Sequence, residues 1–203
     1  MKTYWHFLPD TGCLRFPPHT QVRVGKTLRF DGEPILCKQG FHASARILDA
    51  LGYMQSSICC SVTLGGITVE HSDKTVAQER TALWIGDISQ TLHEFACDVA
   101  EAALLRKAHV TDDHGWAAIA TKRKWLLGEA SDEQLDAARD AAWGAAWGAA
   151  VAGAGDAAWT AVEAAAREAA RDTAAWGAAR DAARDAANAV LEARVNNLIE
   201  ADR

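Results

Sequence analysis

The chain has 203 residues, 49% hydrophobic and 24% charged, a balance that excludes wholesale disorder and fits one good-sized domain with an appended element. No run approaches about 18 apolar residues, so no membrane-spanning helix is expected, and the short, polar-flanked start carries no secretory leader, which makes a cytoplasmic protein the expectation. The net charge of −6 lies entirely in residues 131–203, where 7 arginines meet 13 acids, against 14 of each sign in residues 1–130; phosphate contacts need clustered cations, so nucleic acid is not an expected partner.

All four prolines fall in the first 34 residues, and the turn pairs Asp31-Gly32 and Gly65-Gly66 fall in the first third, a pattern of short strands joined by turns. Strands are expected at Lys2–Leu8, Gln21–Val24, Lys26–Phe30 and Ile35–Lys38. Ser44–Leu51 reads as a short amphipathic helix capped by Ser44 and closed by Gly52. Ser57–Leu64 and Ile67–His71 read as a hairpin over Gly65-Gly66, and Thr81–Ile85 as a further strand. Thr91-Leu92-His93-Glu94 fits a capping box, with Leu92, Phe95, Ala96, Val99 and Ala103 at helical spacing behind it. A second helix starts at Thr111 or Asp112, with Trp116, Ile119 and Ala120 as its buried face and Gly128 past its end. Residues 1–128 are thus an α+β module, a small mixed or antiparallel sheet with flanking helices.

The tail, residues 131–203, opens on another capping box, Ser131-Asp132-Glu133-Gln134, and alanine supplies 29 of its 73 residues. Alanine has the highest helix propensity and proline is absent, so the tail reads as helix. Its four-residue units, such as Asp140-Ala141-Ala142-Trp143, drift about 40° each around a helix, since four residues turn about 400°. The glycines at 153 and 155, with Asp156 as a new N-cap, predict a break near 152–156 and hence a helical hairpin or bundle. Alanine seams bury little area; Trp143, Trp147, Trp159 and Trp176 supply what alanine does not, each able to bury about 150–250 Å². They are the expected interaction residues, and self-association through the tail is expected.

Candidate chemistry is sparse. The five cysteines, Cys13, Cys37, Cys59, Cys60 and Cys97, have no CxxC spacing and read as free thiols, with Cys59 and Cys60 on opposite faces of a strand. A zinc site would have to be assembled around Cys37 and His42, and none is expected. Gly25-Lys26-Thr27 lacks the upstream glycine of a P-loop and runs into strand, not helix. The segment Cys37-Lys38-Gln39-Gly40-Phe41-His42-Ala43-Ser44 brings a strand to a helix start, where an anion or carbonyl is favoured, so Phe41, His42 and Ser44 are the candidate ligand-binding residues. For nucleophilic catalysis Cys37 or Ser44 would act with His42 or His71, and Glu79 is a candidate acid or base, with a plain surface carboxylate beside Arg80 as the other reading. Lys122-Arg123-Lys124 reads as a solvated helix face.

With Val24-Gly25-Lys26, Cys37-Lys38-Gln39-Gly40-Phe41-His42-Ala43 and Asp73-Lys74-Thr75-Val76-Ala77, residues 1–90 resemble an uncharacterised domain of phage and prophage proteins, and the alanine-rich tail resembles extensions found on such proteins. The resemblance implies a phage-type accessory protein in the host cytoplasm, acting by binding a bacterial host protein or complex and inhibiting a defence system, with no cofactor. More distantly, the strand, Gly40-Phe41-His42-Ala43-Ser44 and a later acid are similar to ADP-ribosyltransferases. That likeness implies an enzyme in which Phe41, His42 and Ser44 line an NAD pocket, Glu79 is the catalytic glutamate and His6 stands nearest the first motif. A small-molecule sequestering protein using the same pocket is the remaining alternative.

Overall fold

A computed structural model describes residues 2–16, 18–106, 113–152 and 173–203. Its elements are β1 (Tyr4–Leu8), β2 (Thr27–Arg29), β3 (Phe41–Ala43), α1 (Ile47–Leu51), β4 (Ile58–Glu70), β5 (Thr75–Asp87), α2 (Ser89–Arg106), α3 (Asp113–Leu126), α4 (Asp132–Ala152) and α5 (Thr173–Ala201). They form an α+β protein with a five-stranded antiparallel sheet in the order β1-β4-β5-β2, with β3 also paired to β5. By internal contact the chain divides into two compact units, Met1–Leu92 with Ala186–Arg203, and His93–Asp185. This division follows packing and runs elsewhere than the change in composition near residue 130.

In the first unit, the long hairpin β4–β5 carries the sheet. The outer side of β5 is taken first by β2, with Thr27 opposite Thr81, and then by β3, with Phe41 opposite Ala77. Ser44 continues past β3 and bridges Trp5 of β1, the two residues exchanging backbone hydrogen bonds of 2.8 and 2.9 Å. Because β1 already pairs with β4, this bridge closes β1, β4, β5 and β3 into a small barrel. Its inner face holds the core: Tyr4, Leu8, Val22, Leu28, Ala43, Cys60, Val62 and Ala82.

Trp5 and Trp84 serve the end of α5. Trp5 Nε1 donates to Glu192 at 2.7 Å and Trp84 Nε1 to Asp202 at 2.8 Å, while Asn188 Oδ1 accepts the Leu48 backbone N–H at 3.1 Å. Leu191 and Val195 are fully buried. Asn188, Leu191 and Val195 stand at i, i+3 and i+7, one stripe of a helix. The last turns of the tail therefore pack on the protein's own sheet, and the stripe they use carries no alanine.

Several local expectations need correction. The Ile35–Lys38 segment is a tight turn, not a strand: Lys38 and Gln39 both donate to the Ile35 carbonyl, and Cys37 takes a left-handed φ of 61°. Gln21 and Val24 make isolated bridges only. Ser44 is not a helix cap; α1 begins at Ile47 after Arg46, which makes no capping side-chain bond. Gly65-Gly66 is not a hairpin turn. β4 runs straight through it with a bulge, and the reversal lies at His71–Lys74, where the His71 N–H reaches the Lys74 carbonyl at 2.8 Å. A Cβ on Gly66, at φ 70°, would come within 2.8 Å of the Gln78 Cβ, so the glycines serve a bulge.

In the second unit α3 packs on α4. The corner between them is a Schellman turn: Gly128 at φ 74°, with Glu129 N–H bonded to Lys124 O at 2.8 Å and Gly128 N–H to Trp125 O at 3.0 Å. The Ser131 capping box forms as expected, Ser131 N–H to Gln134 Oε1 at 2.9 Å and Gln134 N–H to Ser131 Oγ at 3.3 Å. The box at Thr91 does not, because α2 already begins at Ser89, whose N–H meets Asp87 Oδ1 at 2.8 Å. Nor are the expected stripes on α2 and α3 buried: Val99 is 44% and Trp116 37% exposed, and among the described side chains of α2 the buried one is Cys97. Arg123 is not a solvated bystander but ties Asp98 and Glu101 at 2.8 and 2.7 Å. Among the described residues no helix is long and apolar enough to cross a membrane. The expected break falls outside the described residues apart from Ala152, as do Trp159 and the side chains of Trp143, Trp147 and Trp176.

Candidate functional site

Gly40 sets the approach. At φ 98°, a Cβ there would meet Val76 Cγ2 at 2.8 Å and the Ala77 carbonyl at 3.0 Å; only glycine lets the chain leave the Ile35–Gln39 turn and lie against β5 as β3. His42 stabilises the turn from the strand side. Its Nε2 accepts the Cys37 backbone N–H at 3.0 Å, and its other contact is to the Gly40 backbone. Burial, then the nearby Lys74 charge and to a smaller extent Arg80, hold this imidazole below its ordinary pKa. A neutral ring with one nitrogen accepting a backbone N–H is a structural brace.

Phe41 points the other way, into the barrel, where its ring lies under the Arg80 guanidinium at 5.4 Å. Arg80 is only 3% exposed. Its Nη1 donates to the His42 carbonyl at 3.0 Å, and its Nη2 has no hydrogen-bond partner among the described residues. Burial brings its pKa down to about 10. His6 of β1 lies beside it; burial first, then Arg80 and His42, push His6 well below the usual histidine range. Opposite His6 across the strands is Cys60, whose thiol burial pushes up to about 12. Cys59 and Cys60 are both fully buried on the two faces of β4, free and unbridged.

In front of the turn, Lys74 donates to Tyr53 Oη at 3.1 Å and contacts Cys37, contacts that raise its pKa. Asp73 is held below its ordinary value by its bonds to Tyr53 and His71. His71 pairs with Asp73 at 3.0 Å on the exposed reversal and does not join Ser44.

The structure thus brings Phe41 and His42 together with Arg80 and His6, and sets Ser44 and Glu79 apart from them. Ser44 is 2% exposed and its backbone belongs to the barrel closure. Glu79 precedes Arg80 in a regular stretch of β5, so it points to the opposite face. There it meets Arg29 at 3.6 Å and lines a shallow depression of about 300 Å³ with Lys2, Thr63 and Thr81. The residue that sequence reasoning missed is Arg80, named there only as the neighbour of Glu79. The available signal was its position two residues before the inward Ala82 and next to an outward acid. Among the described residues no three His, Cys, Asp or Glu side chains gather as a metal-ligand set.

Residues 1–94 match a protein family described as a domain of unknown function (DUF7666). No curated protein and no solved structure matches the chain.

Proposed function

We propose that this protein acts by binding: a phage-type accessory protein that inhibits a bacterial defence system by occupying the surface of a host protein or complex in the host cytoplasm. The observation that carries the reading is the set of described helices in the second unit, α2, α3 and α4. Its helix α3 buries none of its residues, and Leu105, Leu127 and Val99 stand 65%, 71% and 44% exposed. Apolar side chains left exposed on and beside helices suit a helix-face contact with another protein. Self-association through the tail belongs to the same proposal. The ADP-ribosyltransferase alternative needs Phe41 and Glu79 in one pocket, whereas Phe41 faces into the barrel and Glu79 lies on the outer face beside Arg29.

The test is phage plating on bacteria that carry a defence system and on the same strain without it, with the full chain expressed in both. The expected result is that the protein restores plating only on the defended strain, and that Leu105→Asp with Leu127→Asp removes the effect while the protein stays soluble. Equal plating on the defended strain with and without the protein, across a panel of defence types, overturns the assignment. Capture of a discrete host protein by the wild type and not by the double variant checks the binding step.

A further inference from the structure

We propose that Arg80 and His6, inside the barrel, receive a compact oxyanion, a carboxylate or a phosphate group, at the free Nη2 of Arg80. The argument starts from cost. A guanidinium taken out of water loses hydration that only hydrogen-bonded partners or an opposite charge restore. Arg80 is 97% withdrawn from solvent, spends Nη1 on the His42 carbonyl, rests its plane near the Phe41 ring and leaves Nη2 without a partner. Among the described residues no carboxylate forms an ion pair with it; Glu79, its neighbour in sequence, is turned to the other face and engaged with Arg29. The side chains that face it inside the barrel are the His6 imidazole and the Cys60 thiol, neither of them an anion. A buried cation with one imidazole beside it and no carboxylate is the complement of an anion.

The strand that borders the site on its partly exposed side is β1. Tyr4 and Leu8, which flank His6 on the same face of the strand, are buried at 8% and 0%, whereas residue His6 between them is only partly withdrawn from solvent. With one Arg80 nitrogen free and one imidazole beside it, the site takes a single small oxyanion group. This inference goes beyond the partner reading and does not depend on it, since it concerns the barrel and not the helical unit.

The test uses the full chain. Thermal unfolding is followed in inorganic phosphate, in acetate and in chloride at equal ionic strength, for the wild type, Arg80→Met and the control Glu79→Gln. The expected result is a midpoint raised by a few degrees over chloride in phosphate, acetate or both, retained in Glu79→Gln and lost in Arg80→Met; phosphate alone identifies a phosphoryl ligand, and acetate a carboxylate. Titration of phosphate and acetate into wild type, read at the His6 imidazole by NMR, gives a readout that needs no variant, and its resonances should shift and saturate. No anion-specific rise in the wild type, an equal rise in Arg80→Met, or an unmoved His6 overturns the proposal.

Discussion

At the scale of single residues, buried bases set how the first unit responds to pH. His6 and His42 are both held neutral in the folded chain, chiefly by burial. Their pKa values are lower folded than unfolded, so the unfolded state binds protons first as pH falls. Stability is then complete above the unfolded histidine value of about 6.5 and declines below it, down to the lowered folded values. Asp73 and Asp87, also lowered, act in a separate window below their ordinary carboxylate range. Urea unfolding at pH 7.5 and pH 5.5 should therefore show a clear loss at the lower pH, and His6→Gln, which removes the most displaced of these groups, should show a smaller one. His42 is unsuited to the same substitution because it also braces the Cys37 turn. Gly40 belongs to this scale too, as the one residue type that fits between β3 and the Val76–Ala77 backbone.

At the scale of elements, the end of α5 is the clearest case of a segment whose role its composition hides. Residues 173–201 read as an alanine-rich helix, yet the stripe that packs is Asn188, Leu191 and Val195, with the indoles of Trp5 and Trp84 bonded to its acids. Leu191 is fully buried, so Leu191→Ala should destabilise the first unit by about 2–5 kcal/mol, the usual range for such a cavity. Denaturant unfolding followed by the fluorescence of the sheet tryptophans checks this. A change confined to helix content, with the sheet signal unmoved, would contradict the packing described. The helix starts behave more locally: Ser131 caps as its spacing predicts, because a capping box depends on residues three apart.

At the scale of the whole molecule, the first unit is assembled from both ends of the chain, residues 1–92 and 186–203. A protein cut after Gly128 loses the helix that covers Trp5, Trp84 and α1, and leaves apolar sheet exposed to water. Such a truncation should be aggregated or partly unfolded, measurable as light scattering and a loss of near-ultraviolet dichroism, whereas adding back residues 186–203 through a flexible linker should restore it. A well-folded truncated chain would show that the sheet stands alone. The match of residues 1–94 to one family fits a sheet that is encoded mainly at the N-terminus and completed by a distant helix.

The sequence by itself determined the α+β class, β1, β2, the opposite facing of Cys59 and Cys60, Gly128 past the end of α3, and the Ser131 cap. Each of these rests on alternation, on conformational preference or on partners a few residues apart. Only the tertiary structure decided that Ile35–Gln39 is a turn, that Ser44 closes a barrel against Trp5, that Glu79 and Phe41 occupy different faces while Arg80 is buried, and that the tail's last turns cover the sheet. Those outcomes depend on which distant segment supplies a backbone partner or a buried neighbour, and residues 44 and 5, or 188 and 48, leave no trace of their meeting in local pattern.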